Sequence, residues 1–422
     1  MKQPLRIGII GMGGFAGSHH NTVARLEERG LVRLVCACDP HLSDFAAEQQ
    51  AWRFTQRGVR AFTDYRAMLE ACHGDLDYVA TPTPIPLHAE MHDAITSLGI
   101  PTYVEKPPTL DHEELDRMIS ADRRARKSSL VGFNYIVEKS RLALKERLLS
   151  GEFGAIRGGT LSALWPRPSS YFARNGWSGR LLVDGRIVLD SCFGNAMGHF
   201  VHNMLFWTGT PGLFSWAEVA AVRAELYRAH SIEGADTFFV EADLASGCTL
   251  RFALSNACAG ASTNSETVIC EKAILRYVVG GQIEVSWKDG RKERISSGPF
   301  DGLEENHLEY GRYLRGEVPR PPTTLADSRP FVVLNDLAHV SSGRILPVPA
   351  RLVSHSREEK EQKDYITVAG LANVVGDFLS RGVWPGYAGW RRDNGEVVTP
   401  GDLGRFRGTV TAMAEAAAAP AG

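Results

Sequence analysis

The chain has 422 residues, 44% of them hydrophobic and 23% charged, with a formal net charge of -2. That is enough for two or three domains with real cores, in a composition ordinary for a soluble globular protein. The near-neutral balance supplies no field for nucleic acid or an anionic membrane surface, and no apolar run reaches the ~18 residues of a membrane helix. Seven cysteines are scattered with no CxxC pair, which suits a reduced cytoplasmic protein and indicates neither a zinc knuckle nor a redox motif. "MKQPLRIGIIGMGG" does not read as a cleavable leader.

"LRIGII" (5–10) is an apolar run with no polar face, as expected of a strand covered on both sides. It runs into "GMGGFAG", where Gly11, Gly13 and Ala16 fill G-x-G-x-x-G/A, and a helical pattern follows to about Arg29. The first glycine allows the tight turn, the second lets the backbone approach a pyrophosphate, and the alanine lets helix and strand pack closely. A pyrophosphate would sit at the helix N-terminus, beside Phe15, where free N–H groups point. The next strand, "LVRLVCACDP", ends in Asp39, positioned to bond an adenosine ribose and to repel a 2'-phosphate; no arginine follows it directly. The expected cofactor is therefore NAD rather than NADP. A bare glycine loop also occurs as a plain strand–helix turn, but here strand, turn, helix, strand and acid come in order.

The alternation continues. "DLDYVATPT" reads as a strand, "LHAEMHDAITSLG" as an apolar-striped helix ending at Gly99, "PTYVEKPP" as a strand, and "SSLVGFNY" as the last strand. Asp111 and Glu114 open the intervening helix. Such alternation means a mostly parallel sheet, whose ligands bind beyond the carboxyl ends of its strands, where "TPTP", "EKPP" and "GFNY" fall. From about residue 155 the texture changes to strands and turns, from "AIRGGTLSALW" to "AILRYVVGGQIEVSW" with a hairpin signal at "KDGR" (288–291), as in an antiparallel sheet. In "WPRPSSYFARNGWSGR", Trp165, Tyr171 and Trp177 interleave with Arg167 and Arg174; flat rings suit sugar C–H faces and arginines suit hydroxyls or a carboxylate. An aromatic-pinned surface loop is the plain alternative. "DSCFGNAMGHFVHN" (190–203) places Asn195, His199, His202 and Asn203 three or four apart. His199 and His202 with Asp190 resemble part of a zinc site, but no cysteine or carboxylate cluster completes it, and no metal is expected.

The glycine loop, "TPTPIPLHAE", "YVEKPPTL" and a histidine-bearing segment in the second half resemble the Gfo/Idh/MocA family of oxidoreductases over about residues 1–350. The resemblance implies an N-terminal Rossmann doubly wound parallel sheet, residues 1–134. An α+β domain with a large open, mostly antiparallel sheet follows at 135–350. Residues 351–422 form an extension packing on the core and ending in a disordered alanine-rich tail. It implies NAD-dependent hydride transfer with the secondary alcohol of a sugar, glycoside or cyclitol, and a homodimer or homotetramer built through the C-terminal sheet. The family's catalytic lysine falls on Lys106 and its histidine on His199. Many members carry an aspartate four residues before that histidine, where this chain has Asn195, able to orient an imidazole but not to stabilise its charge. The cofactor is expected at Gly11, Gly13, Phe15, Ala16, Asp39, Thr81, Pro82, His88, Glu105 and Lys106. The substrate is expected at Asn134, Trp165, Arg167, Tyr171, Arg174, Trp177, Asp190 and Asn203. His202 is expected to be structural. A hydrolase that oxidises its glycoside only transiently, and a sensor without chemistry, are the alternatives the resemblance leaves open.

Overall fold

The computed structural model describes residues 3–278, 281–296, 298–360, 362–391, 393 and 395–418. The chain divides into two compact units. Unit 1 comprises Met1–Thr109, Glu113–Glu138 and Pro299–Ser328; unit 2 comprises Leu110–His112, Lys139–Gly298 and Arg329–Gly422. The boundaries differ from those expected by sequence, because 299–328 leaves the second half to join the first.

Unit 1 holds six parallel strands: β1 Leu5–Ile10, β2 Val32–Cys38, β3 Arg60–Phe62, β4 Tyr78–Thr81, β5 Thr102–Val104 and β6 Leu130–Val131. Their order is β3-β2-β1-β4-β5-β6, so the chain reverses direction across the sheet between β1 and β4, at the head of the glycine loop. The central strands are mostly apolar because both faces are covered, whereas the edge strand β3 is largely exposed. Ile7 and Ile9 join Val23, Leu26 and Tyr78 on one face, while Ile10 joins Met68, Leu69 and Ile95 on the other. The helix Gly302–Leu314 covers the first face with Leu303, Tyr310 and Tyr313. Burial of side chains of this size stabilises by roughly 1.5–3 kcal/mol each. Asp301 caps that helix by accepting from the Glu304 N–H at 3.1 Å.

Unit 2 is built on a nine-stranded sheet. Its strands are β7 Ile156–Leu164, β10 Val219–Arg228, β11 Thr237–Leu244, β12 Thr249–Ser255, β13 Thr263–Cys270, β14 Ala273–Tyr277, β15 Gln282–Trp287, β16 Lys292–Ser296 and β17 Ile345–Pro347. The order is β16-β15-β14-β13-β7-β12-β11-β10-β17, antiparallel except where β7 meets β12 and β10 meets β17. The short pair β8 Leu182–Val183 and β9 Arg186–Ile187 lies apart from it. One sheet face carries Phe238 and Phe252 against Phe193. The other carries Tyr227 and Phe239 against Phe378 of the helix Leu371–Arg381 and against Trp390. The C-terminal segment thus packs on the unit 2 core. The exposed stretch "VSHSREEKEQKD" opens the antiparallel hairpin of β18 Val353–Glu358 and β19 Lys363–Val368. The expected disordered tail is helical from Phe406 to Ala418; residues 419–422 lie outside the described residues. Alanine is the strongest helix former, and Phe406, Val410 and Met413 give this stretch a buried stripe. Among the described residues, no helix is long and apolar enough to cross a membrane.

Candidate active site

In unit 1 the glycine loop follows β1. Gly11 has φ +115°, a backbone open to glycine, and a Cβ there would lie 3.1 Å from the Pro82 carbonyl oxygen. A Cβ on Gly13 would lie 3.1 Å from the Phe45 ring. The helix Ala16–Glu28 starts directly behind the loop. The N–H groups of Gly13, Gly14 and Phe15 donate to no protein acceptor among the described residues, which is the donor set a pyrophosphate needs. Asp39, at the end of β2, accepts from the Met12 N–H at 2.9 Å and the His41 N–H at 3.0 Å, one per carboxylate oxygen. Each oxygen keeps a lone pair for a ribose hydroxyl. Phe15 is half exposed at the loop's tip. These residues fit a dinucleotide.

Not every residue expected at the cofactor keeps a side chain to offer. Thr81 is fully buried, its hydroxyl turned to the Tyr103 carbonyl at 3.4 Å. His88 is 1% exposed; its Nδ1 faces the Pro107 carbonyl at 3.0 Å and its Nε2 the Thr83 carbonyl at 2.8 Å. Burial lowers its pKa while the two carbonyls oppose that shift. The neutral ring donates its single N–H to one of the two carbonyls, and at 1% exposure His88 packs between the "TPTP" and "EKPP" turns rather than opening toward a cofactor. Lys106, half-buried, lies between Glu105 and a cis Lys106–Pro107 bond.

Glu105 belongs to a buried hydrogen-bond chain that the sequence did not announce. Its Oε1 meets His19 Nε2 at 3.0 Å, His19 Nδ1 meets His307 Nε2 at 3.1 Å, and His307 Nδ1 meets the Tyr78 hydroxyl at 2.9 Å. Its Oε2 accepts the Lys106 backbone N–H at 3.1 Å. A carboxylate only accepts, so the chain has one direction. Tyr78 donates to His307, His307 to His19 and His19 to Glu105. Burial pushes the His307 pKa well below its ordinary value. A Cβ on Gly132, in "GFNY", would lie 2.7 Å from Glu105 Oε1, so the close approach needs glycine there. Asn134 accepts from the Tyr103 hydroxyl at 3.0 Å and from the Asn306 amide. His19 is one of three buried polar residues on its helix, with His20 and Thr22, and nothing local sets it apart. His307 comes from a segment some 200 residues beyond β5, with no local signal.

In unit 2 the stretch 190–203 is not one helix. Cys192–Ala196 forms a π turn, with Ala196 N–H bonding the Ser191 carbonyl and Met197 N–H the Cys192 carbonyl, before the helix Gly198–Thr208 begins. Such turns often mark functional positions. They place Asn195 off the helical spacing expected from sequence. Asn195 donates to Asp190 Oδ1 at 2.7 Å, and Asp190 Oδ2 accepts the Gly179 N–H at 2.8 Å. His199 is half-buried, whereas His202 and Asn203 are fully buried. His202 packs on Trp216, 5.2 Å between ring centres. Asn203, expected at the substrate, donates instead to Glu266 at 2.7 Å. Glu266 also takes Arg141 at 2.7 Å and the Trp207 indole N–H at 2.6 Å, all inside the core. Asn203 is thus a packing residue here, because the buried Glu266–Arg141 pair needs every donor it has.

The aromatic–arginine stretch is gathered by ring–guanidinium contacts. The Arg167 guanidinium lies 5.3 Å from the Trp165 ring centre and 4.9 Å from that of Tyr171; Arg174 lies 3.7 Å from Tyr171 and 5.3 Å from Trp177. Arg174 stands 3.9 Å from Asp190. The Trp165 ring meets Phe200, the neighbour of His199, edge-on at 5.3 Å. Trp165, Arg167, Tyr171, Arg174, Trp177, Asp190 and Asn195 therefore form one cluster beside the start of the His199 helix.

Residues 5–133 match the family described as "Oxidoreductase family, NAD-binding Rossmann fold". An inositol 2-dehydrogenase of Saccharopolyspora erythraea is 33% identical over 36% of this chain and 43% of its own length. A D-glucoside 3-dehydrogenase of Escherichia coli is 29% identical over 39% of this chain and 44% of its own. The chain spans less than half the length of these curated relatives. Similar folds include levoglucosan dehydrogenase in complex with NADH, with TM-score 0.67, 19% identity and coverage of 81% of this chain and 97% of the other. The WlbA dehydrogenase of Bordetella pertussis in complex with NADH and UDP-GlcNAcA has TM-score 0.65, 23% identity and coverage of 80% and 96%. Residues 5–133 thus carry the NAD-binding Rossmann fold of the Gfo/Idh/MocA oxidoreductase model.

Proposed function

We propose that the protein is an NAD-dependent oxidoreductase that moves a hydride between a secondary alcohol of a sugar, glycoside or cyclitol and the nicotinamide. The observation that carries this reading is the glycine loop with its orphan N–H groups and with Asp39 bonded to Met12 N–H. NAD, when bound, supplies the hydride acceptor. The loop N–H groups hold its pyrophosphate and the remaining lone pairs of Asp39 hold the ribose hydroxyls, which disfavours a 2'-phosphate by charge. The substrate hydroxyl must lose its proton as hydride leaves its carbon. We assign that proton to His199, a half-buried imidazole with a reference pKa of about 6.5. We assign stabilisation of the developing alkoxide to Lys106, half-buried after β5. Asp190 fixes the Asn195 amide, so the charge that an aspartate at 195 would carry stands one hydrogen bond further away.

The test is a panel of sugars, glycosides and cyclitols with NAD, read by absorbance of the reduced ring. Lys106→Ala and His199→Ala are each expected to lower turnover at least ~100-fold while NADH binding, read by fluorescence, stays intact. Near-full activity of His199→Ala removes it as the base. Aglycone release without net NADH marks the hydrolase instead, and NADH binding without turnover on any substrate marks a sensor.

A further inference from the structure

Arg167 is held as few surface arginines are. Pro166 and Pro168 flank it and fix their own φ angles. Its N–H bonds the Asn256 carbonyl at 3.2 Å, and its carbonyl meets His230 Nε2 at 3.2 Å. His230 is itself clamped by Asp236 at 2.7 Å. Pro168 pairs with Tyr365 of β19, so the C-terminal hairpin braces the same turn. Two aromatic rings hold the guanidinium. Yet among the described residues Arg167 has no carboxylate partner, and its Nε and the neighbouring Trp165 Nε1 are buried without an acceptor. The one acid of the cluster, Asp190, is engaged by Gly179, Asn195 and Arg174.

A rigid guanidinium with no carboxylate partner, whose own Nε and whose neighbouring Trp165 indole N–H both lack an acceptor, has the donor set that suits an anion. We propose that Arg167 binds a carboxylate of the substrate, so that the preferred substrates are sugar acids, uronic or aldonic, rather than neutral sugars. A planar monoanion matches a single guanidinium fork. A phosphate dianion would bring more charge than one arginine offsets, with the Asp190 carboxylate in the same cluster. The inference rests on the proposed function for the site's being a sugar site at all.

Calorimetric titration of D-glucuronate against D-glucose, and of D-galacturonate against D-galactose, tests it, with D-glucose 6-phosphate as a third arm and with NAD both present and absent. The uronates are expected to bind about ten- to a hundredfold tighter than their neutral counterparts. Arg167→Gln is expected to abolish that preference, with part of it restored in Arg167→Lys. Equal binding of acid and neutral sugar, tighter binding of the phosphate, no binding of any uronate, or a preference that survives Arg167→Gln each overturns it. Reduction of NAD is read separately. Oxidation of neutral sugars without a uronate preference sinks the carboxylate site alone. Arg167-dependent uronate binding that never reduces NAD sinks the dehydrogenase alone.

Discussion

Tyr78→Phe removes one oxygen from the far end of the buried chain that reaches Glu105. In the native protein that hydroxyl is the donor to His307 Nδ1, at 2.9 Å and without solvent. Without it, His307 either leaves Nδ1 unsatisfied or moves its proton there and can no longer donate to His19. Both choices orphan one buried group, at a cost of ~1–3 kcal/mol. For a domain of this size that lowers the melting temperature by about 2–4 °C per kcal/mol, hence by ~2–12 °C. The comparison is Tyr65→Phe, whose hydroxyl donates to Glu90 at an exposed position, 2.9 Å away. Its loss is expected to cost no more than ~0.5 kcal/mol. Thermal unfolding by circular dichroism measures both variants, and ¹⁵N shifts of the histidine rings report the tautomers. The reasoning fails if Tyr78→Phe melts no lower than Tyr65→Phe, or if the wild-type His307 carries its proton on Nδ1.

Gly11→Ala strains a φ of +115° and pushes a methyl to 3.1 Å from the Pro82 carbonyl, so NADH affinity should fall at least ~10-fold in a fluorescence titration; wild-type affinity would be evidence against the loop as the cofactor cradle. Asp39→Ala should weaken NAD and narrow its advantage over NADP, and an unchanged ratio removes Asp39 from cofactor choice. Burial brings His20 in unit 1 and His339 in unit 2 down to about 4. The unfolded chain takes up these protons near pH 6.5 and the folded chain does not. Their contribution is therefore complete above pH ~6.5 and is lost toward pH 4, by up to ~1.4 kcal/mol per pH unit and histidine. Urea midpoints that stay flat from pH 7 to 4.5 would contradict this. Glu266→Leu leaves Arg141, Asn203 and Trp207 without their buried acceptor and should cost ~3–5 kcal/mol or prevent folding, whereas Arg66→Ala, which breaks a surface pair with Glu90, should leave the melting temperature nearly unchanged; equal losses would refute it.

What the sequence made legible was local. Strand β1, the glycine loop, Asp39, the helix after "TPTP" and the hairpin at 288–291 each carry their signal within some thirty residues, in periodicity or turn chemistry. The Arg167 cluster was legible for the same reason, since "WPRPSSYFARNGW" is contiguous. The roles of Glu105 and His88 were not. Their partners, His19 with His307 and the carbonyls of Thr83 and Pro107, come from separate turns and elements. Asn195 was misjudged in spacing because a π turn, with one residue more per loop, looks in sequence like an ordinary helix. Asn203 was misjudged because polarity on a helix shows no difference between a substrate group and a donor to a buried carboxylate.

The position of His88 has a mechanical consequence. One buried ring is wedged between the Thr83 carbonyl on one turn and the Pro107 carbonyl on the next, and the neutral ring donates its single N–H to one of them, so the two turns share one imidazole as their packing partner. The tips of two parallel strands thus rest on the same imidazole, and replacing His88 by alanine is expected to loosen the backbone on both sides, at Thr83 and beside Lys106, together.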